Sequence, residues 1–178
     1  MPDEHPLPRS NLVKNILIVI VCLGIAPLAI LAGARVPPAG MVTFMGAILA
    51  FQPFAASIGL VLGVPPGAII GTMFSVGLGA IFFILTLCDL FSQRWERLAV
   101  AIRNVHAITK DSARFRKYGI VMFFPFIWVP GLGLYGCTLV AWLFEWRRMH
   151  HIVVLMAAWM AAVTIVLITS LEISFAIS

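Results

Sequence analysis

Long uncharged stretches constrain this chain more than any other feature. Met41–Leu62, Pro65–Cys88, Gly119–Phe144 and Ile152–Ser170 contain no Asp, Glu, Lys or Arg, and Val13–Ala34 contains only Lys14. A helix of about 20 apolar residues crosses the roughly 30 Å hydrocarbon core of a bilayer. With 178 residues, 62% apolar and 11% charged, the chain has too little interior to hide this surface from water. Soluble domains sit near 45–50% apolar and about 25% charged. The alternating strands of an outer-membrane barrel are absent. The fold class expected is therefore an all-α integral membrane protein.

Two of the five stretches are interrupted. Pro53 falls near the middle of the second, and Pro130-Gly131 leaves Ile120–Val129 as a short arm in the fourth. At 1.5 Å per residue that arm is about 15 Å long, half a bilayer. Each broken stretch can be a kinked spanning helix or a re-entrant hairpin that turns back at mid-depth. Charge placement separates the two. The segment Asp89–Lys117 carries Arg94, Arg97, Arg103, Lys110, Arg114, Arg116 and Lys117, so it belongs on the cytoplasmic side. Five crossings would leave Arg9, Lys14, Arg147 and Arg148 outside. Three crossings plus two hairpins place every basic residue except Arg35 inside, which the positive-inside rule favours.

The expected organisation follows: a cytoplasmic N-terminal tail (1–12), a first membrane half (13–88), a basic cytoplasmic linker (89–117) and a second membrane half (118–178). Arg9, Lys14 and Ala32-Gly33-Ala34 imitate a secretory leader, but Asp3 and Glu4 interrupt its basic region, so this stretch is expected to remain as the first helix. In the linker, Phe91, Trp95, Leu98, Ile102 and Val105 form one apolar stripe with Arg94, Arg97 and Arg103 off it, the pattern of an amphipathic interfacial helix.

The halves echo each other. Pro53 precedes Gly59 by the same interval at which Pro130 precedes Gly136. Each break then leads to a long helix with small residues, Gly67, Gly71, Ser75 and Gly79 in the first half and Ala157, Ala158, Ala161 and Ala162 in the second. Small residues at such spacing let helices approach closely in lipid. Three crossings and two hairpins would set the halves in opposite orientation, an inverted repeat of the type that places substrate sites between broken helices.

Enzyme chemistry has little to stand on, and no catalytic or metal residue is assigned. His5, His106, His150 and His151 lie in termini or cytoplasmic segments, and no metal-ligand spacing occurs. Cys22, Cys88 and Cys137 fit neither a disulfide framework nor a metal site. No cofactor is expected, and the net charge of +5 is accounted for by anionic lipid rather than nucleic acid.

The run FRKYGIVMFFPFIWVPGLGLYG (115–136) resembles the small multidrug export family, through Lys117, Tyr118, Gly119, Pro130, Gly131 and Gly133. Leu62-Gly63-Val64-Pro65-Pro66 resembles that family's first half, and the likeness spans about residues 50–170. The family looks related in turn to the DedA (SNARE-associated, VTT) superfamily, in which two opposed hairpins meet within the membrane. The resemblance implies translocation of lipids, lipid carriers or amphipathic small molecules across the cell membrane. Two departures bear on coupling to protons and on fixed-charge binding. Gln52 is the only strongly polar side chain of AFQPFAAS, and Gly133-Leu134-Tyr135 follow the second turn where DedA proteins carry arginine.

What remains at mid-depth is neutral polarity beside freed backbone groups. The expected substrate path is Gln52, Pro53, Ser57, Gly59, Pro130, Gly131, Gly133, Tyr135, Gly136 and Thr138. Its partners would be membrane lipids and an amphipathic or anionic lipid-like substrate, with a homo-oligomer allowed. The alternative is a non-transporting membrane scaffold or assembly factor that shares the fold.

Overall fold

The structure is a computed structural model, and it describes residues 9–94, 133–143 and 149–177. Helices α1 (Arg9–Ile20) and α2 (Ala26–Gly33) join through a π segment, Val21–Ile25, into one rod. Helix α3 (Pro38–Phe51) leads through a single 3₁₀ turn (Gln52–Phe54) to α4 (Ala55–Val61). Two helices of equal length, α5 (Pro66–Arg94) and α7 (Met149–Ile177), flank the shorter α6 (Gly133–Leu143). Among the described residues there is no strand.

Four stretches are long and apolar enough to cross a membrane: Val13–Gly33, Pro38–Val61, Pro66–Phe91 and Ile152–Ser174. Large apolar side chains such as Leu17, Val42, Val61, Phe83, Val153 and Ile168 face outward. A soluble protein could not leave so much apolar surface in water. The chain is a multi-pass α-helical membrane protein. Four hydroxyls on these helices are satisfied locally, as a dry medium favours: Thr43, Thr86, Thr164 and Thr169 each donate to the carbonyl four residues back.

Pro38–Val61 has the length of a span but is not one straight helix. Gly59 lies against the Phe44 ring, so closely that an added Cβ would fall 2.7 Å from its Cε2. A straight helix would hold residues 44 and 59 about 22 Å apart along its axis. The chain therefore folds back between α3 and α4.

On either side of this pair sit two turns of one design. At the end of α2, Val36 N–H bonds the Leu31 carbonyl and Arg35 N–H that of Ala32, with Arg35 at φ 58°. After α4, Val64 N–H bonds Gly59 and Gly63 N–H bonds Leu60, with Gly63 at φ 75°. Both are Schellman stops: a left-handed residue closes the helix by satisfying its last carbonyls. Each continues as Val-Pro-Pro, the Val buried and the second Pro opening the next helix, where a missing N–H costs nothing.

Helix α5 is the hub. It packs on α1, the π segment and α2 along one side, and on α4, α6 and α7 elsewhere. The small-residue ladder faces the first rod: Gly71 meets Ile30, and a Cβ on Gly79 would fall 3.0 Å from the Leu23 backbone nitrogen. Between them Ser75 Oγ donates to the Cys22 carbonyl at 2.8 Å, a carbonyl within the π segment, where widened hydrogen bonding leaves acceptors free. Gly67, at the ladder's start, meets nothing within 4 Å. At the α5–α7 crossing, buried Trp159 lies over Gly77, where a Cβ would fall 2.7 Å from the indole nitrogen. Helix α5 also continues six residues past Cys88, to Arg94, into what the sequence suggests is linker. The remainder of the amphipathic linker, and Ile120–Gly131 of the fourth stretch, lie outside the described residues.

Candidate functional site

Helix α3 ends because Pro53 has no N–H to give. The Gln52 N–H still reaches the Ile48 carbonyl, but the next carbonyl, Leu49, would need a donor on residue 53. Tyr135 supplies it from the second half of the chain: its hydroxyl donates to the Leu49 oxygen at 3.0 Å. The break in one half is thus mended by a side chain from the other.

Gln52 makes the reciprocal link. Its Oε1 accepts the Leu134 N–H at 3.2 Å. Gln52 therefore ties the first break to the backbone of α6, in the opposite half. The Leu134 donor also fixes the orientation of the amide, since an NH₂ group cannot accept that bond.

This tie is costly. Gln52 sits at φ 55°, ψ −123°, a conformation that favours glycine; such outliers cost on the order of 1–3 kcal/mol. The residue is fully buried, and its Nε2 has no hydrogen-bond partner. An unsatisfied buried donor costs about 1–3 kcal/mol, against about 1 kcal/mol gained from an ordinary hydrogen bond. Both penalties fall on one residue. Thr72 Oγ1, on α5, is the other buried side-chain atom without a partner among the described residues.

The other expected path residues divide. Pro53 and Gly133 are buried, and Tyr135 and Gly136 are half-buried beside the Gln52 contact. Ser57 and Thr138 spend their hydroxyls at home, on the Phe54 carbonyl at 2.6 Å and the Leu134 carbonyl at 2.7 Å. Gly59 receives the Phe44 ring and the Ile69 side chain, a packing task. Pro130 and Gly131 lie outside the described residues.

One polar contact is not evident from the sequence. Asp89, at the boundary where charge begins, is 5% exposed, and its Oδ1 accepts the Trp142 indole N–H at 2.9 Å. It ties the far end of α5 to α6. A Trp near the end of an apolar run is the only signal, and such residues usually mark an interface. Among the described residues no three metal-ligating side chains come together, and Cys22, Cys88 and Cys137 form no disulfide.

No family model matches the chain, and no characterised protein or solved structure is similar enough to it to carry an argument.

Proposed function

We propose that this protein is a membrane transporter that moves a lipid, lipid carrier or amphipathic small molecule through a site between two opposed broken hairpins. The observation that carries this reading is the pair of reciprocal bonds, Gln52 to Leu134 and Tyr135 to Leu49, which joins the first break to the start of α6. Non-helical backbone at membrane depth persists only where protein or a wet cavity satisfies it. Substrate sites of inverted-repeat transporters are built from such pieces.

The packing supports an inverted repeat. Helix α4 lies on α7 as α6 lies on α5, while α5 and α7 cross each other. That is the pattern produced by a two-fold axis exchanging α4 with α6 and α5 with α7. Gly77 of α5 and Trp159 of α7 touch where the two helices cross. In this arrangement α3–α4 is a re-entrant hairpin, the N-terminus and central linker are cytoplasmic, and the two Val-Pro-Pro turns lie outside. The small multidrug export and DedA resemblance agrees with this arrangement and with location in the cell membrane.

A second reading, a membrane scaffold without transport, is favoured by the complete burial of Gln52. Flux decides between them. Purified protein in liposomes is expected to accelerate movement of a fluorescent phospholipid or of a polyprenyl phosphate across the bilayer. Gln52→Leu is expected to cut that flux about tenfold while the protein stays folded; tenfold corresponds to about 1.4 kcal/mol. An imposed proton gradient is expected to change the flux of a non-titrating substrate little. Wild-type liposomes no faster than empty ones for both lipids would leave the scaffold.

A further inference from the structure

The two long helices are not equally covered. Helix α5 has the first rod lying on its small-residue face, with Gly71 against Ile30 and Gly79 against Leu23. Helix α7 has no such cover among the described residues. Ala157, Ala161, Thr164, Ile168 and Glu172 follow one another at steps of four, three, four and four, and all but the half-buried Ala161 are exposed. The first rod is open on its far side too. Only 11% of Val13–Gly33 is buried, against 39%, 44% and 50% of the other three spans. Its exposed stripe is Leu17, Val21, Ile25, Leu28 and Ala32, and it ends at exposed Arg35.

The stripes match in size and in depth. In the proposed arrangement both run from the cytoplasmic side to the outside. Counted from the first residue of each span, Leu17, Val21 and Ile25 fall within one residue of the depth of Ala157, Ala161 and Thr164, so large side chains face small ones. Arg35 and Glu172 differ by two residues, about 3 Å at 1.5 Å per residue. These two are the only charged side chains that the arrangement leaves outside, one base and one acid. Among the described residues neither has an ion-pair partner, and the rod of the same protomer packs on α5 rather than on α7. Lipid covers any apolar stripe. A lone base and a lone acid at one depth, ending stripes of complementary size, call for protein.

We propose that a second copy of this chain lays its first rod along the outer face of α7, with Arg35 of one protomer meeting Glu172 of the other. A two-fold axis along the membrane normal makes the contact twice. Small residues on one side let the helices approach closely, which is what drives association where lipid supplies no hydrophobic gain. The exposed ion pair selects face and register and adds little to the stability of either protomer. The inference is independent of what is transported. It rests on one part of the reading above, that the Arg35 turn and the end of α7 share the outer side.

The test uses the full-length protein in liposomes, with fluorescently labelled copies and energy transfer between them as lipid is added. Wild type is expected to give a dimer that dissociates on dilution. Arg35→Glu and Glu172→Arg are each expected to weaken it about tenfold, because two attractive exposed pairs per dimer become repulsive. The double reversal, Arg35→Glu with Glu172→Arg, is expected to restore it to within about twofold of wild type. Ala157→Phe, at an exposed position where the protomer has room, is expected to abolish the dimer by filling the α7 stripe. In chains without native cysteines, a short bismaleimide should link Arg35→Cys to Glu172→Cys in a mixture, and link neither variant to itself. Absence of a dimer at any dilution, single reversals that dimerise like wild type, or linkage of Glu172→Cys only to itself overturns the inference. A membrane-impermeant maleimide added outside tests the arrangement separately. If it labels both cysteines and no mixed product forms, the dimer fails and the arrangement stands; if it labels only one of them, both fail.

Discussion

Three interruptions divide the first half of the chain, and they are not of one kind. The two Val-Pro-Pro turns close on themselves: every bond that stops α2 and α4 comes from within six residues. The break at Gln52-Pro53 cannot close on itself. Its orphan carbonyl and its strained amide are matched by Tyr135 and Leu134, more than eighty residues away. In the proposed arrangement the two turns lie at the membrane surface, where water is a fallback and a local motif is enough, while the break lies at membrane depth and must borrow partners from elsewhere in the fold. The first kind of interruption is punctuation; the second couples two regions.

Gly59 stands where the two kinds meet, and the largest effect is expected there. Its carbonyl receives the Val64 N–H of the second turn, while its missing side chain admits Phe44 and Ile69. Gly59→Val adds two methyl groups beyond a Cβ that already falls 2.7 Å from an aromatic carbon. Overpacking of this sort costs about 1–3 kcal/mol, and here a ring with little freedom must move, so about 3 kcal/mol is expected. The melting temperature of detergent-solubilised protein measures it. A variant as stable as wild type would mean that α3 and α4 separate easily, and the fold-back would lose its packing basis.

Tyr135→Phe is expected to have the next largest effect. It removes one hydroxyl and leaves the Leu49 carbonyl without its donor, beside a proline that cannot supply another. A fully buried acceptor left unmet costs about 1–3 kcal/mol, and because Leu49 is exposed and Tyr135 half-buried the expected loss lies near the lower figure. Thr164→Val, which removes an exposed hydroxyl bonded within α7, should change stability by well under that. If the two substitutions cost the same, the break is satisfied in some way other than through Tyr135.

The same contrast decides how much of the fold is legible in sequence. Membrane class, the four stretches long and apolar enough to span and the position of the first break can all be read from residue type, because Pro53 and the absence of charge act locally. The ladder Gly71, Ser75 and Gly79 is also visible, and the structure turns it toward the first rod. The Arg35 turn is harder to see than the Gly63 turn, although both continue as Val-Pro-Pro, since arginine is not a residue from which one infers a left-handed stop. Partnerships are hidden. Nothing in the periodicity of α6 says that Tyr135 faces Leu49, or that Asp89 lies inside the bundle against Trp142 rather than in the linker. Ser57 and Thr138 look like mid-depth polarity in sequence, yet their hydroxyls turn back to their own helices. An apolar sequence specifies which surfaces must be buried far better than it specifies against what.

The smallest expected effect sharpens the distinction from the local side. Arg35 and Gly63 occupy the same position in the two turns, both with positive φ, but only one of them is glycine. A left-handed backbone costs a residue with a Cβ roughly 1–2 kcal/mol, offset in part because glycine loses more freedom on folding. Arg35→Gly is therefore expected to stabilise the protein by about 0.5 kcal/mol, and Gly63→Ala, with nothing within 4 Å of the added methyl, to destabilise it by about 1 kcal/mol. Opposite signs of melting-temperature shift for this pair are the expected outcome, and neither variant should alter lipid flux. If Arg35→Gly lowered stability instead, the exposed guanidinium would be holding something that backbone geometry does not require, and the two turns would not be equivalent. If either variant changed flux at unchanged stability, the turns too would belong to the moving parts. The line between local punctuation and long-range coupling would then have to be drawn elsewhere than at Gln52.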